Sequence, residues 1–259
     1  MGLIDSHSHL NDEKFDEDRE EQIKKIRESG VSNFITAGYS VESSKKALEI
    51  AKKYDFIYTT AGVSPNDIPQ TEEELWKQLA EIEKIVEKNK EKICAIGEIG
   101  LDYYWNTDNK ELQKKAFIEQ IKIANKYNLP IVIHTREAVM DTLQILKENK
   151  VTKTGVFHCC PQNRELIKEG LKLGFYISFA GPITFKNSKN AEEMINLVPN
   201  DRILIETDSP YLAPEPVRGT CNTPANVKYI AQKIADVKGL TLEEVEKITF
   251  ENTKNILYI

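Results

Sequence analysis

The chain has 259 residues, 40% of them hydrophobic and 29% charged, which suits a single α/β barrel domain spanning 1–259 and excludes a disordered chain. Its 35 Lys and Arg against 41 Asp and Glu leave a net charge of −6, excluding capture of nucleic acid through a broad basic face, so a polyanionic substrate would have to be held locally. The longest apolar stretches run five or six residues, too short for a membrane span or a signal, and a cytoplasmic protein with no membrane partner is expected.

Short runs rich in Ile, Val and Phe alternate with longer segments of helical period, the pattern of repeated βα units around a parallel sheet. The first strand is predicted at 3–6, followed by a helix at 16–29 with Ile23 and Ile26 on its inner side and Ser29-Gly30 as its stop. Strands at 33–37 and 57–62 frame a helix at 41–54. A helix at 71–88 opens on Thr71, with Glu74 placed to complete a capping box, and turns Leu75, Leu79, Ile82 and Val86 inward. Strands at 93–97, 131–134, 154–158, 175–179 and 203–206 then alternate with helices at 110–127, 136–149, 163–173 and 189–197. Helices at 226–237 and 242–258 close the chain. Eight strands, each followed by helix, predict a (β/α)₈ TIM barrel, whose functional residues gather at the C-terminal ends of the strands.

The histidines follow that rule. All four of them, His7, His9, His134 and His158, sit at the ends of apolar runs, and the carboxylates Glu98 and Asp208 end similar runs. His7 and His9 are two apart in an extended segment, so alternation points both rings the same way. These six nitrogen and oxygen donors are too many for one closed tetrahedral zinc site, which would ordinarily include thiolates, and they fit two divalent ions better. Glu98, with two carboxylate oxygens, is the candidate bridge. Zinc, manganese, magnesium and iron all suit imidazole and carboxylate donors. The four cysteines, Cys94, Cys159, Cys160 and Cys221, are expected as free thiols, Cys94 in the core and the Cys159-Cys160 pair beside His158.

Substrate contacts are expected from the loops above these donors. Asp102-Tyr103-Tyr104-Trp105 follows Glu98 and offers a carboxylate, Asp102, and aromatic faces including Tyr104, on which bases could stack. Arg136 and Arg218 carry guanidinium forks that match phosphate oxygens.

Six motifs, in order, carry a resemblance: Asp5-Ser6-His7-Ser8-His9-Leu10, Gly97-Glu98-Ile99-Gly100-Leu101-Asp102-Tyr103, Ile133-His134-Thr135-Arg136, Phe157-His158, Glu206-Thr207-Asp208-Ser209-Pro210-Tyr211-Leu212 and Arg218-Gly219-Thr220-Cys221-Asn222-Thr223-Pro224. Over essentially its whole length the chain resembles the TatD family of metal-dependent hydrolases, known as deoxyribonucleases among the amidohydrolase-like barrels. The resemblance implies one metal held by His7, His9, Glu98 and Asp208 and another by Glu98, His134 and His158, with Asp208 also accepting a proton from the attacking water, so that Asp208 and Glu98 are the catalytic carboxylates. It implies DNA as substrate, as single strands or frayed ends, and points to no obligate protein partner; a monomer is expected. Hydrolysis of an ester or amide, such as an aminoacyl ester, is the alternative for the same centre. Where the family usually has Gly-Val-His-Pro, this chain reads Gly62-Val63-Ser64-Pro65, putting Ser64, a hydrogen-bond donor without charge, at a substrate-side position. Asn11 and His158-Cys159-Cys160-Pro161 also depart from the family's usual aspartate and glycine-containing turn.

Overall fold

The computed structural model describes residues 2–105 and 107–259, so Met1 of the expected domain lies outside it. Eight parallel strands follow one another around the sheet in chain order: β1 (Leu3–Ser8), β2 (Val31–Thr36), β3 (Ile57–Ala61), β4 (Ile93–Asp102), β5 (Ile131–Arg136), β6 (Gly155–Phe157), β7 (Tyr176–Phe179) and β8 (Ile203–Ile205). They alternate with α1 (Arg19–Glu28), α2 (Val41–Lys53), α3 (Glu72–Lys88), α4 (Lys110–Tyr127), α5 (Val139–Glu148), α6 (Arg164–Lys172), α7 (Ala191–Leu197) and α8 (Val227–Lys238), and α9 (Leu242–Leu257) ends the chain. This is a (β/α)₈ TIM barrel.

Alternation along each strand divides the core in two. Leu3, Phe34, Ile57, Ile93, Ile131, Phe157, Ile177 and Ile203 face outward and pack with the helices. Ile4, Ile35, Ala95, Val132, Val156 and Leu204, with Cys94, form a separate cluster inside the barrel, closed by Ile256 and Leu257 from the last turn of α9. The polar residues on the strands therefore collect at the other end, where His7, His9, Glu98 and His158 are buried.

The seam between β8 and β1 closes just beyond β8: the Asp208 N–H donates to the His7 carbonyl at 3.0 Å and the His9 N–H to the Ser209 carbonyl at 2.7 Å. Closure of the barrel thus brings His7, His9 and Asp208 together. Thr71 caps α3 by accepting the Glu74 N–H, and the reciprocal capping box is found instead at α9, between Thr241 and Glu244.

One boundary differs in a way that matters for the site. The fourth strand continues past the expected 97 to Asp102, which places Glu98 in its interior. The β4–β5 ladder shifts register between Ile96 and Ile99, and at Gly97 a Cβ would lie 2.7 Å from the Val132 side chain. Periodicity could not show this, because the irregularity depends on the close approach of a neighbouring strand. At Gly100, with φ +138°, a Cβ would fall 2.0 Å from the His134 carbonyl oxygen; only glycine lets β4 lie so near the strand that delivers His134.

Candidate metal centre

Glu98 stands between two groups of donors. Its Oε2 is 3.5 Å from His7 Nε2 and 3.6 Å from His9 Nε2, and Asp208 Oδ1 joins them at 3.8 Å and 3.3 Å. Its Oε1 is 3.0 Å from His134 Nδ1 and 3.4 Å from His158 Nε2. The nitrogens of each histidine pair are 3.2 Å apart. All six side chains expected from the sequence are brought together.

The outward edges of the rings indicate what the inward edges can do. His9 Nδ1 faces the Ala37 carbonyl at 3.3 Å, His158 Nδ1 faces Glu206 Oε1 at 3.3 Å, and His134 Nε2 faces Asp102 Oδ2 at 2.9 Å. Each acceptor favours the tautomer with its proton outward, which leaves an inward lone pair. His7 differs: its buried Nδ1 has no partner among the described residues, and its ring stacks on His158 at 4.0 Å. Inward lone pairs aimed at carboxylate oxygens need positive charge between them, and imidazole with carboxylate is a donor set that fits divalent cations.

The ionisation balance agrees. Burial works against the charge of Glu98, but the attraction of His158 and hydrogen bonds with His134, His158 and His7 outweigh it and hold its carboxyl well below the usual range. Burial likewise opposes Asp208, and its contact with His9 and the charge of His158 bring it below its ordinary value. Burial would lower His158, yet the charge of Glu98 and the bond to Glu206 raise it well above the usual imidazole range. Protons or metal ions must supply cationic charge here.

Two carboxylates that sequence reasoning passed over support this arrangement. Asp5, fully buried, accepts from the His7 N–H at 3.2 Å, the Thr207 N–H at 2.9 Å and the Thr207 hydroxyl. Burial drives its pKa well above the ordinary value, against these hydrogen bonds. Glu206 accepts the Cys159 N–H at 2.6 Å as well as facing His158. Their only sequence signal is a carboxylate next to a ligand candidate in an otherwise apolar strand. Glu206→Gln should weaken metal binding roughly 10–100-fold, since it disturbs the tautomer and orientation of His158; metal titration of the chelated protein measures this, and unchanged affinity would remove Glu206 from that role.

The expected substrate contacts fare unevenly. The site opens into a cavity of about 970 Å³ whose lining includes His9, Glu98, His134, His158 and Asp208, with Ser64, Asp67, Trp105, Arg136 and Tyr211. Arg136 lies over the Tyr104 ring at 3.7 Å and near Trp105 at 5.4 Å, and it has no ion pair among the described residues. Asp102 is fully buried rather than turned toward substrate; besides His134 it accepts the N–H groups of Tyr104 and Trp105 at 2.9 and 3.1 Å. The continuation of β4 pulls it beneath the loop it was expected to crown. Ser64 lines the cavity but donates to Asp67 Oδ2 at 2.9 Å and accepts the Asn66 N–H at 3.2 Å. Arg218 lies over Phe185 at 4.2 Å, away from the cavity lining. Cys159 lines the cavity, while Cys94 is buried with its thiol pushed up to about 12 by desolvation.

Comparison with known proteins gives consistent neighbours. The family described as TatD related DNase matches residues 4–258. The chain is 44% identical to the uncharacterized metal-dependent hydrolase YabD of Bacillus subtilis, covering 99% of both chains. It is 38% identical to the uncharacterized metal-dependent hydrolase YcfH of Escherichia coli, over all of this chain and 97% of that one. Among solved structures, YJJV, a TatD homolog from Escherichia coli, superposes with a TM-score of 0.93 at 24% identity, covering 99% of this chain and 98% of that one.

Proposed function

Since the chain belongs to the TatD related DNase family and is a metal-dependent hydrolase, we propose that it holds two divalent cations and cleaves phosphodiester bonds in DNA, as single strands or frayed ends. The observation that carries this reading is Glu98, whose two oxygens face two separate donor groups at the floor of a cavity that is also lined by Arg136, an arginine with no ion pair among the described residues. His7, His9, Asp208 and Glu98 would hold one cation, and His134, His158 and Glu98 the other. Bound there, Zn, Mn, Mg or Fe would supply Lewis acidity and make a water acidic enough to attack at neutral pH.

The protein's own groups do the rest. Asp208, ionised and open to the cavity, takes the proton from the attacking water. Asp102 and Glu206 fix the rings of His134 and His158, so that neither has to reorganise during reaction. Arg136, held over the Tyr104 ring, presents its guanidinium to a phosphate oxygen, and Trp105 offers an exposed face to a base.

The alternative of ester or amide hydrolysis, including an aminoacyl ester, draws on Asp67. Its carboxyl lines the cavity next to Ser64, and a carboxylate there suits an ammonium group better than a phosphate. Release of nucleotides from a labelled single-stranded DNA, with metal chelated and then restored, tests the reading. Arg136→Ala should reduce kcat/KM on DNA roughly 10–100-fold, the magnitude of a lost charge-assisted hydrogen bond, while leaving a small neutral ester within about twofold. Equal loss on both substrates would remove Arg136 as the phosphate contact, and no metal-dependent DNA cleavage by the folded protein would reject phosphodiesterase activity.

A further inference from the structure

We infer that Lys14 and Tyr211 form a second strand-binding subsite on the rim opposite Arg136 and Trp105, so that one nucleic-acid strand is held on both sides of the bond being cleaved. The inference rests on the phosphodiesterase reading and adds to it where the polymer lies.

The two rims are built alike. On one, Asp102 at the end of β4 accepts the Tyr104 N–H two residues on, and Arg136 from the end of β5 lies over the Tyr104 ring. On the other, Asp12 in the segment after β1 accepts the Lys14 N–H two residues on, at 2.9 Å, while its other oxygen accepts the Tyr211 phenol at 2.8 Å. Lys14 Nζ then lies 4.6 Å from the centre of the Tyr211 ring. Asp12 is 93% buried, with a relative exposure of 7%, so both carboxylate oxygens are committed to shaping this rim. The nearby Asp16 is taken by Arg19 and Lys46. Lys14, like Arg136, makes no ion pair among the described residues, and Tyr211 remains 46% exposed on the cavity wall.

Topology sets these rims apart. Tyr211 follows β8 and Lys14 follows β1, whereas Tyr104 and Trp105 follow β4 and Arg136 ends β5, half-way round an eight-stranded barrel. With strands about 4.8 Å apart and tilted about 36°, the barrel is roughly 15 Å across. His9, Glu98, His134, His158 and Asp208 lie in the cavity between the rims. A single nucleotide contacts one rim; a chain of several crosses the mouth and meets a cation and an aromatic face on either side. Local cations of this kind also explain how an acidic chain could grip a polyanion without a basic face.

The test is fluorescence anisotropy of the metal-loaded enzyme with a labelled, phosphorothioate-linked oligothymidylate that resists cleavage, alongside hydrolysis of bis(p-nitrophenyl) phosphate. Lys14→Ala should raise Kd for the strand roughly 3–10-fold and lower the salt slope by about one. Lys14→Arg should restore binding, and hydrolysis of the small diester should stay within about twofold of the original protein. Unchanged strand affinity in Lys14→Ala would overturn the subsite, as would an equal loss on the small diester. If Lys14 governs strand binding but the original metal-loaded enzyme cleaves neither the small diester nor an unmodified oligothymidylate, the strand-binding subsite stands and the phosphodiesterase reading falls.

Discussion

Glu98→Gln should fold normally and lose hydrolysis by on the order of 10³-fold or more in kcat. The substitution keeps the side chain's length and shape. It replaces one oxygen with an NH₂ group that has no lone pair for a cation, and it removes the negative charge that both donor groups share. The distances explain why the loss is large: Oε1 and Oε2 approach four imidazole nitrogens between 3.0 and 3.6 Å, so neither orientation of the amide spares both groups. Burial does not endanger the fold, because an amide is cheaper to bury than a carboxylate. Elemental analysis, a thermal melt and turnover of single-stranded DNA, measured on one preparation, separate the possibilities. A folded variant with full metal content and activity within about tenfold of the original would remove Glu98 from the centre of the mechanism.

Asp5→Ala should destabilise the metal-free protein by about 3–4 kcal/mol, a fall in Tm of roughly 10 °C for a chain of this size. The carboxylate of Asp5 accepts from two backbone N–H groups and a hydroxyl in the closed barrel, and alanine leaves all three buried without a partner. The same contacts tie β1 to the segment leading to Asp208, so metal affinity should fall as well. Asp5→Asn is the informative control. The native carboxyl is already pushed toward its neutral form by burial, and an amide can accept the N–H groups while donating to the Thr207 hydroxyl, so this variant should stay within about 1 kcal/mol. Working with chelated protein keeps differences in metal binding out of the melt. If Asp5→Ala and Asp5→Asn melt together at the original temperature, the seam does not depend on this side chain.

These two residues show where sequence reasoning succeeds and where it stops. Glu98 was legible because an ionisable side chain ending an apolar strand has no packing reason to be there, and histidines at the ends of other runs gave it company. The barrel was legible for a similar reason: short apolar runs alternating with segments of period 3.6 leave few architectures open. Asp5 was invisible as a support, although it lies in the same motif as His7, because two of its three donors, the N–H and hydroxyl of Thr207, are 202 residues away.

Asp102 marks the boundary clearly. Its position after Glu98 suggested a loop carboxylate facing substrate, but hydrogen bonding along β4 extends the strand and buries it against His134. Arg218 carried the right chemistry at a position whose chain path takes it to Phe185. Asp208 adopts φ +54°, a left-handed conformation costly for most residues and tolerated best by glycine, asparagine and aspartate; the seam bond from its N–H to His7 holds it there.

The sequence by itself determined which residues can act and the periodic pattern that sends them to one end of a barrel, because residue type and alternation are local properties. Only the tertiary structure decided which nitrogen of each imidazole points inward, which carboxylates support rather than face the cavity, and that two cation-bearing rims stand across it. Those depend on neighbours brought together by closure of the sheet, and no local pattern encodes the distance between β1 and β8.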